Sequence, residues 1–132
     1  MSATGFSRRT GLAHYKEYGA NGTITAGDAV KFDGSGEVVA ATSGAEVLGV
    51  AMNDATSSTN VLIDLVQPDS EWDVVVESGT TAAASVGDLA DLNSADGITL
   101  TASNNDVLVT GWDSSTTTRA YVVFQNIARA GA

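Results

Sequence analysis

The sequence predicts an all-β protein: a compact β-sandwich or β-barrel of about eight to nine short strands. Alternating and β-branched runs recur between clusters of Gly, Asn, Asp and Ser. No stretch carries apolar residues at i, i+3, i+4 and i+7 over a dozen positions, so long helices are not expected. The chain also resembles itself at an offset of sixty residues, as two stacked copies of one β unit would.

In chain order the expected strands are Asp28–Phe32, Glu37–Ala41, Glu46–Met52, Asn60–Val66, Glu71–Glu77, Gly87–Leu92, Gly97–Thr101, Val107–Trp112 and Arg119–Asn126. Asp33-Gly34-Ser35-Gly36 joins the first two as a hairpin, because glycine accepts positive φ, and Asp96-Gly97 does the same later. Gln67-Pro68-Asp69-Ser70 suits a type I turn before Glu71. In Glu71–Glu77, Trp72, Val74 and Val76 point to one face and Glu71, Asp73 and Glu77 to water. In Arg119–Asn126, Ala120, Val122 and Phe124 form the inner set.

The repeat aligns Gly27-Asp28 with Gly87-Asp88, Val38 with Ile98, Glu46-Val47-Leu48 with Asp106-Val107-Leu108, and Val61-Leu62-Ile63 with Tyr121-Val122-Val123. Five of the 25 pairs between Gly27–Ala51 and Gly87–Gly111 are identical. The repeat units are residues 24–66 and 84–126, within a single β domain spanning 23–132. Neither unit alone would bury its apolar face well, so the two are expected to pack into one sandwich or barrel with approximate two-fold symmetry.

Residues 1–22 read differently, as an extended N-terminal arm that binds a partner. They hold Arg8, Arg9 and Lys16, the aromatics Phe6, Tyr15 and Tyr18, and the single His14, with no sustained alternation. From Phe32 to Thr118 there are fourteen carboxylates and neither Lys nor Arg. A basic arm on an acidic body is expected to touch a foreign protein surface.

A chain of 132 residues is expected to make one domain and needs no covalent staples. With no Cys, thiol catalysis and cysteine-ligated metals are excluded. The net charge of −10 argues against nucleic acid and anionic membrane as partners, because both need clustered Lys and Arg. No apolar run approaches bilayer-spanning length, and Met1 to Leu12 does not read as a signal peptide.

Catalytic chemistry finds little support. A lone His14 outside any nucleophile elbow argues against a Ser-His-Asp set, and one histidine argues against zinc. Asp69, Glu71, Asp73 and Asn104-Asn105-Asp106 do not follow a calcium-loop spacing. The Gly-Asp pairs lack the Lys-Ser/Thr of a phosphate loop, and Asn21-Gly22-Thr23 reads as a turn rather than a glycosylation site. No enzyme activity, cofactor or metal is expected.

Ala26-Gly27-Asp28-Ala29-Val30, Gly36-Glu37-Val38-Val39 and Val47-Leu48-Gly49-Val50-Ala51 resemble the Ala-Gly-Asp-x-Val … Leu-Gly-Val-Ala signature of tailed-bacteriophage capsid decoration (cement) proteins. Ser85-Val86-Gly87-Asp88 through Val107-Leu108-Val109 is a looser copy that loses the Gly-Val-Ala step at Val109-Thr110-Gly111. The resemblance implies a non-enzymatic homotrimer, made in the host cytoplasm and bound to the outer surface of the virion. There it would clamp neighbouring subunits of the major capsid protein.

In that family an N-terminal arm often lies along the capsid subunit; here it would be Ser2 to Tyr18. Phe6, Tyr15 and Tyr18 are then the expected anchors, and Arg8, Arg9 and Lys16 pair with capsid carboxylates, with His14 among the contacts. The alternative is a carbohydrate- or receptor-binding β module of a phage head or tail fibre, stacking sugars on Trp72, Trp112 and Tyr121.

Overall fold

A computed structural model describes residues 5–79, 81, 85–101, 103–113, 115 and 118–128, and they form an all-β fold. Eleven strands follow in order: β1 (Phe6–Arg8), β2 (Tyr15–Gly19), β3 (Ala29–Phe32), β4 (Val38–Ala40), β5 (Gly49–Ala51), β6 (Asn60–Leu65), β7 (Trp72–Ser78), β8 (Leu89–Ser94), β9 (Gly97–Thr99), β10 (Val107–Trp112) and β11 (Arg119–Phe124). Among the described residues no helix is long and apolar enough to cross a membrane.

The first sheet runs β2-β6-β5-β3-β4, and a parallel bridge from Ala20 to Val38 returns it to its start as a five-stranded barrel. The second runs β7-β11-β10-β8-β9 and returns through parallel β7–β9 pairing, with β1 added to β7. All other ladders are antiparallel. Strand order and direction are therefore the same in both units. The single sandwich or barrel expected from the two units together is corrected: each unit closes as its own barrel, because each first strand in sheet order pairs back onto its own last strand.

The repeat extends to individual hydrogen bonds. Gly27 N–H donates to Ala51 O (2.8 Å), Ala51 N–H to Asp28 O (2.9 Å) and Asp28 N–H to Thr25 O (2.9 Å). The same triplet recurs as Gly87 to Val109 (2.8 Å), Val109 to Asp88 (2.9 Å) and Asp88 to Ser85 (3.0 Å). Gly27 and Gly87 sit at φ +95° and +96°, a region glycine enters without a Cβ clash. Ala51 thus matches Val109, 58 positions on rather than 60, so Leu48-Gly49-Val50-Ala51 corresponds to Asp106-Val107-Leu108-Val109. The ungapped alignment holds for β3 and β4 and slips by two at β5, because the loop before β5 is longer than the one before β10.

Alternation fills the interior of each unit. Ile24, Val30, Val38, Leu48, Val61 and Ile63 are buried in the first. Trp72, Val74, Val76, Leu92, Ile98, Val107, Val109, Val122 and Phe124 are buried in the second. Ala29, Val47, Val50 and Val66 of the first unit belong to the second cluster, so one apolar interface joins the barrels. Each buried Val, Leu, Ile or Phe side chain contributes roughly 1.5–3 kcal/mol by leaving water. Gly49 lets β5 and β6 approach closely: a Cβ there would overlap Asp64 O and Ile63 Cγ2.

The extended arm requires correction. Two stretches of it are built into the sheets: β1 pairs with β7 (Phe6 opposite Val74) and β2 pairs with β6 (Tyr18 opposite Val61), with an exposed connection between them. Residues 1–4 lie outside the described residues. The physical reason is that the arm's apolar and basic groups find partners in their own acidic body.

Candidate docking surface

The seven residues expected to touch a partner divide into two groups. Phe6 is 4% exposed, with its ring 5.0 Å from that of Phe124. The Arg8 guanidinium donates from Nε to Asp64 Oδ2 (3.0 Å) and from Nη2 to Asp64 Oδ1 (2.7 Å). It also donates to Leu65 O (3.0 Å) and stands 4.6 Å over the Trp72 ring. Arg9 donates to Glu71 Oε1 (2.8 Å) and stacks 3.8 Å over Tyr121; the Glu71 hydrogen bond, first among its causes, raises its pKa. Phe6 and Arg8 are therefore fastened inside their own molecule, which corrects Phe6 as a capsid anchor and Arg8 as a partner for capsid carboxylates; Arg9 is paired with Glu71 but stays exposed. Charges of opposite sign attract whichever molecule they belong to; Arg119 likewise donates to Asp73 Oδ1 (2.9 Å).

His14, Tyr15, Lys16 and Tyr18 are placed together on the first barrel. Residues 10–17 are all exposed, and Leu12 and Tyr15 reach 82% and 55%. The His14 carbonyl accepts Leu65 N–H (2.8 Å), and Lys16 Nζ lies 5.6 Å from the Tyr18 ring centroid. Tyr18 turns inward, edge-on to Phe32 at 5.5 Å. Its hydroxyl oxygen is buried and has no hydrogen-bond partner among the described residues.

Two neighbours escaped sequence reasoning. Glu17 lies opposite Leu62 in the ladder, and Met52 N–H donates to Leu62 O (2.8 Å), which sets Glu17, Leu62 and Met52 in one row across three segments. Leu62 and Met52 are 36% and 45% exposed. The available signal was Leu62 itself, an apolar residue on the outward step of Val61-Leu62-Ile63. A groove of about 930 Å³ opens between the units, lined by His14, Leu48, Leu65, Val66, Pro68 and Phe124 among others.

Among the described residues no group of three or more His, Cys, Asp and Glu side chains is arranged to hold a metal ion. Trp72 is buried inside the second barrel while Tyr121 lies outside beneath Arg9, so they do not share a sugar-stacking platform with Trp112. Asp91 and Asp106 are structural: Asp91 accepts the N–H groups of Ser103, Asn104 and Asn105.

Asp33 is an exposed turn carboxylate held down to a pKa of about 2, first by Ser35 N–H, then by Asn21 Nδ2 and the Ser35 hydroxyl. Because its folded value is depressed, its contribution to stability is complete above the unfolded value and disappears as pH falls toward 2. A carboxyl NMR titration of the folded protein should place its midpoint near 2, and Ser35→Ala should raise it. Asp28 has the opposite sign: burial first, then Asp96 and Asp54, raises it, so stability from this group falls as pH rises.

Compared with known proteins, the chain matches no family model and no curated sequence.

Proposed function

We propose that this chain is a structural protein, not an enzyme, that binds the outer surface of a viral capsid and holds neighbouring capsid subunits together. The observation that carries this reading is the decoration-protein signature at Ala26–Val30 and Leu48–Ala51. Those residues are the Gly-Asp turn and β5, joined by the hydrogen bonds that recur in the second barrel. A duplicated barrel pair with a shared core is a stiff body, suited to bridging subunits. Its net charge of −10 keeps copies soluble and apart until a lattice gathers them.

Contact with the major capsid protein runs through the first barrel's outer face, where Tyr15 joins Leu62 and Met52, with Leu12 and His14 on the exposed segment leading into β2 and Lys16 exposed at the strand edge. The sites on the shell are three-fold positions, occupied by a homotrimer. Weak single contacts then suffice, because joining binding units raises avidity by about 10²–10⁴.

The test is co-sedimentation with capsid shells assembled without this chain. Saturable binding and a higher shell melting temperature are expected, with Tyr15→Glu/Leu62→Glu weakening binding at least tenfold. Absence of binding by the folded wild-type chain would overturn the reading.

A further inference from the structure

The two barrels differ at one strand edge. In the second, β7 carries two neighbours on the edge facing away from β11: β9 at Val75 to Ser78, and β1 at Trp72 to Val74. In the first, the parallel bridge at Ala20–Val38 stands where Val76–Ile98 stands in the second. Ala20 N–H donates to Thr59 O as Val76 N–H donates to Thr118 O. Ala20 thus corresponds to Val76, and Tyr18, Glu17, Lys16 and Tyr15 correspond to Val74, Asp73, Trp72 and Glu71. Those are the β7-side positions bound by β1 and Arg9.

On β2 no strand lies there among the described residues. Even-numbered residues of β2 direct their backbone groups to β6, as His14 O and Ala20 N–H show. The N–H and C=O of Tyr15 and Glu17 therefore point outward. An exposed, unpaired strand edge is a template for another strand.

We infer that the β2 edge at Tyr15–Tyr18 receives an extended strand from a partner protein, antiparallel to β2, as β7 receives β1. The docked strand sets an apolar or aromatic side chain against Tyr18, as Phe6 stands opposite Val74. A basic residue faces Glu17 and an acidic one faces Lys16, because opposite charges directly across a ladder stabilise it. A second copy fits poorly. Antiparallel self-pairing centred on Lys16 or Glu17 sets like charges opposite each other, and each copy carries −10. Taken with the role proposed above, the donor is an extended segment of the capsid subunit.

The probe is the peptide Thr-Gly-Phe-Lys-Glu-Thr, followed by amide NMR on the full chain. Saturable shifts at Tyr15, Lys16, Glu17 and Tyr18 are expected, at least tenfold weaker in Glu17→Pro. Proline there removes an outward N–H and leaves the β6 ladder intact, so the melting temperature should hold; Tyr15→Pro is the second variant. Shifts absent from β2 in the folded chain overturn the assignment.

Hydrogen exchange on capsid shells separates the two readings. Binding with protection of residues 14–18 supports both. Binding without that protection overturns the edge as the docking site and leaves the capsid role standing. Peptide shifts without shell binding keep the edge and overturn the capsid role. A concentration-dependent dimer protected at 14–18 overturns the partner assignment in favour of a second copy.

Discussion

Replacing Arg8 with alanine is expected to cost about 3–5 kcal/mol of folding stability, because a buried charge loses its partner. The Asp64 side chain is 3% exposed and that of Arg8 13%, and their fork-shaped contact links β1 to the first barrel. Alanine also removes the guanidinium from the Trp72 face. Against a total stability of roughly 5–15 kcal/mol, the midpoint in urea should fall sharply. An apolar double variant, Arg8→Met/Asp64→Leu, should lose clearly less than Arg8→Met alone, since no charge is then stranded. Equal losses would mean that packing, not the ion pair, fastens β1.

Asp106→Ala is expected to cost about 3–4 kcal/mol. Asp106 is 1% exposed, and its two oxygens take three donors: Gly44 N–H (2.9 Å) on Oδ1, Ser43 Oγ–H (2.9 Å) and Leu92 N–H (2.9 Å) on Oδ2. The first and second donors belong to the loop between β4 and β5, the third to β8, so one carboxylate ties the barrels together. Alanine leaves Leu92 N–H buried without an acceptor, and each such orphan costs about 1–3 kcal/mol. Asp106→Asn should rescue only part of this, because its amide group presents hydrogens where donors already point. Full rescue by asparagine in a urea titration would show that the carboxylate is not the tie.

Local pattern was legible wherever one face of a strand meets a core. The inner sets Trp72, Val74, Val76 and Ala120, Val122, Phe124 are buried as their alternation requires, and β10 spans Val107–Trp112 as expected. The Gly-Asp turns marked the repeat because both occupy the same left-handed backbone step. The first two strands were not legible. Phe6-Ser7-Arg8 is too short to show a period, and Arg8 reads as a solvent residue until Asp64, 56 positions away, comes beside it.

The same blindness affected the candidate site. A basic cluster before an acidic body looks like an offer to a stranger, yet Arg8 and Arg9 are taken by Asp64 and Glu71. What remained for a partner was set by strand pairing between distant segments. Glu17, Leu62 and Met52 become neighbours only once β2, β6 and the end of β5 lie side by side.

The most direct measurement is residue-resolved amide hydrogen exchange on the free chain. Phe6 N–H donates to Gly27 O (2.8 Å) and Arg9 N–H to Glu71 O (2.8 Å), so both should exchange slowly, near the rate set by global unfolding. Tyr15 and Glu17, on the bare side of β2, should exchange rapidly while Lys16 and Tyr18 stay protected. Rapid exchange at Phe6 and Arg9 would restore a free arm, and slow exchange at Tyr15 and Glu17 would show that the docking edge is already paired.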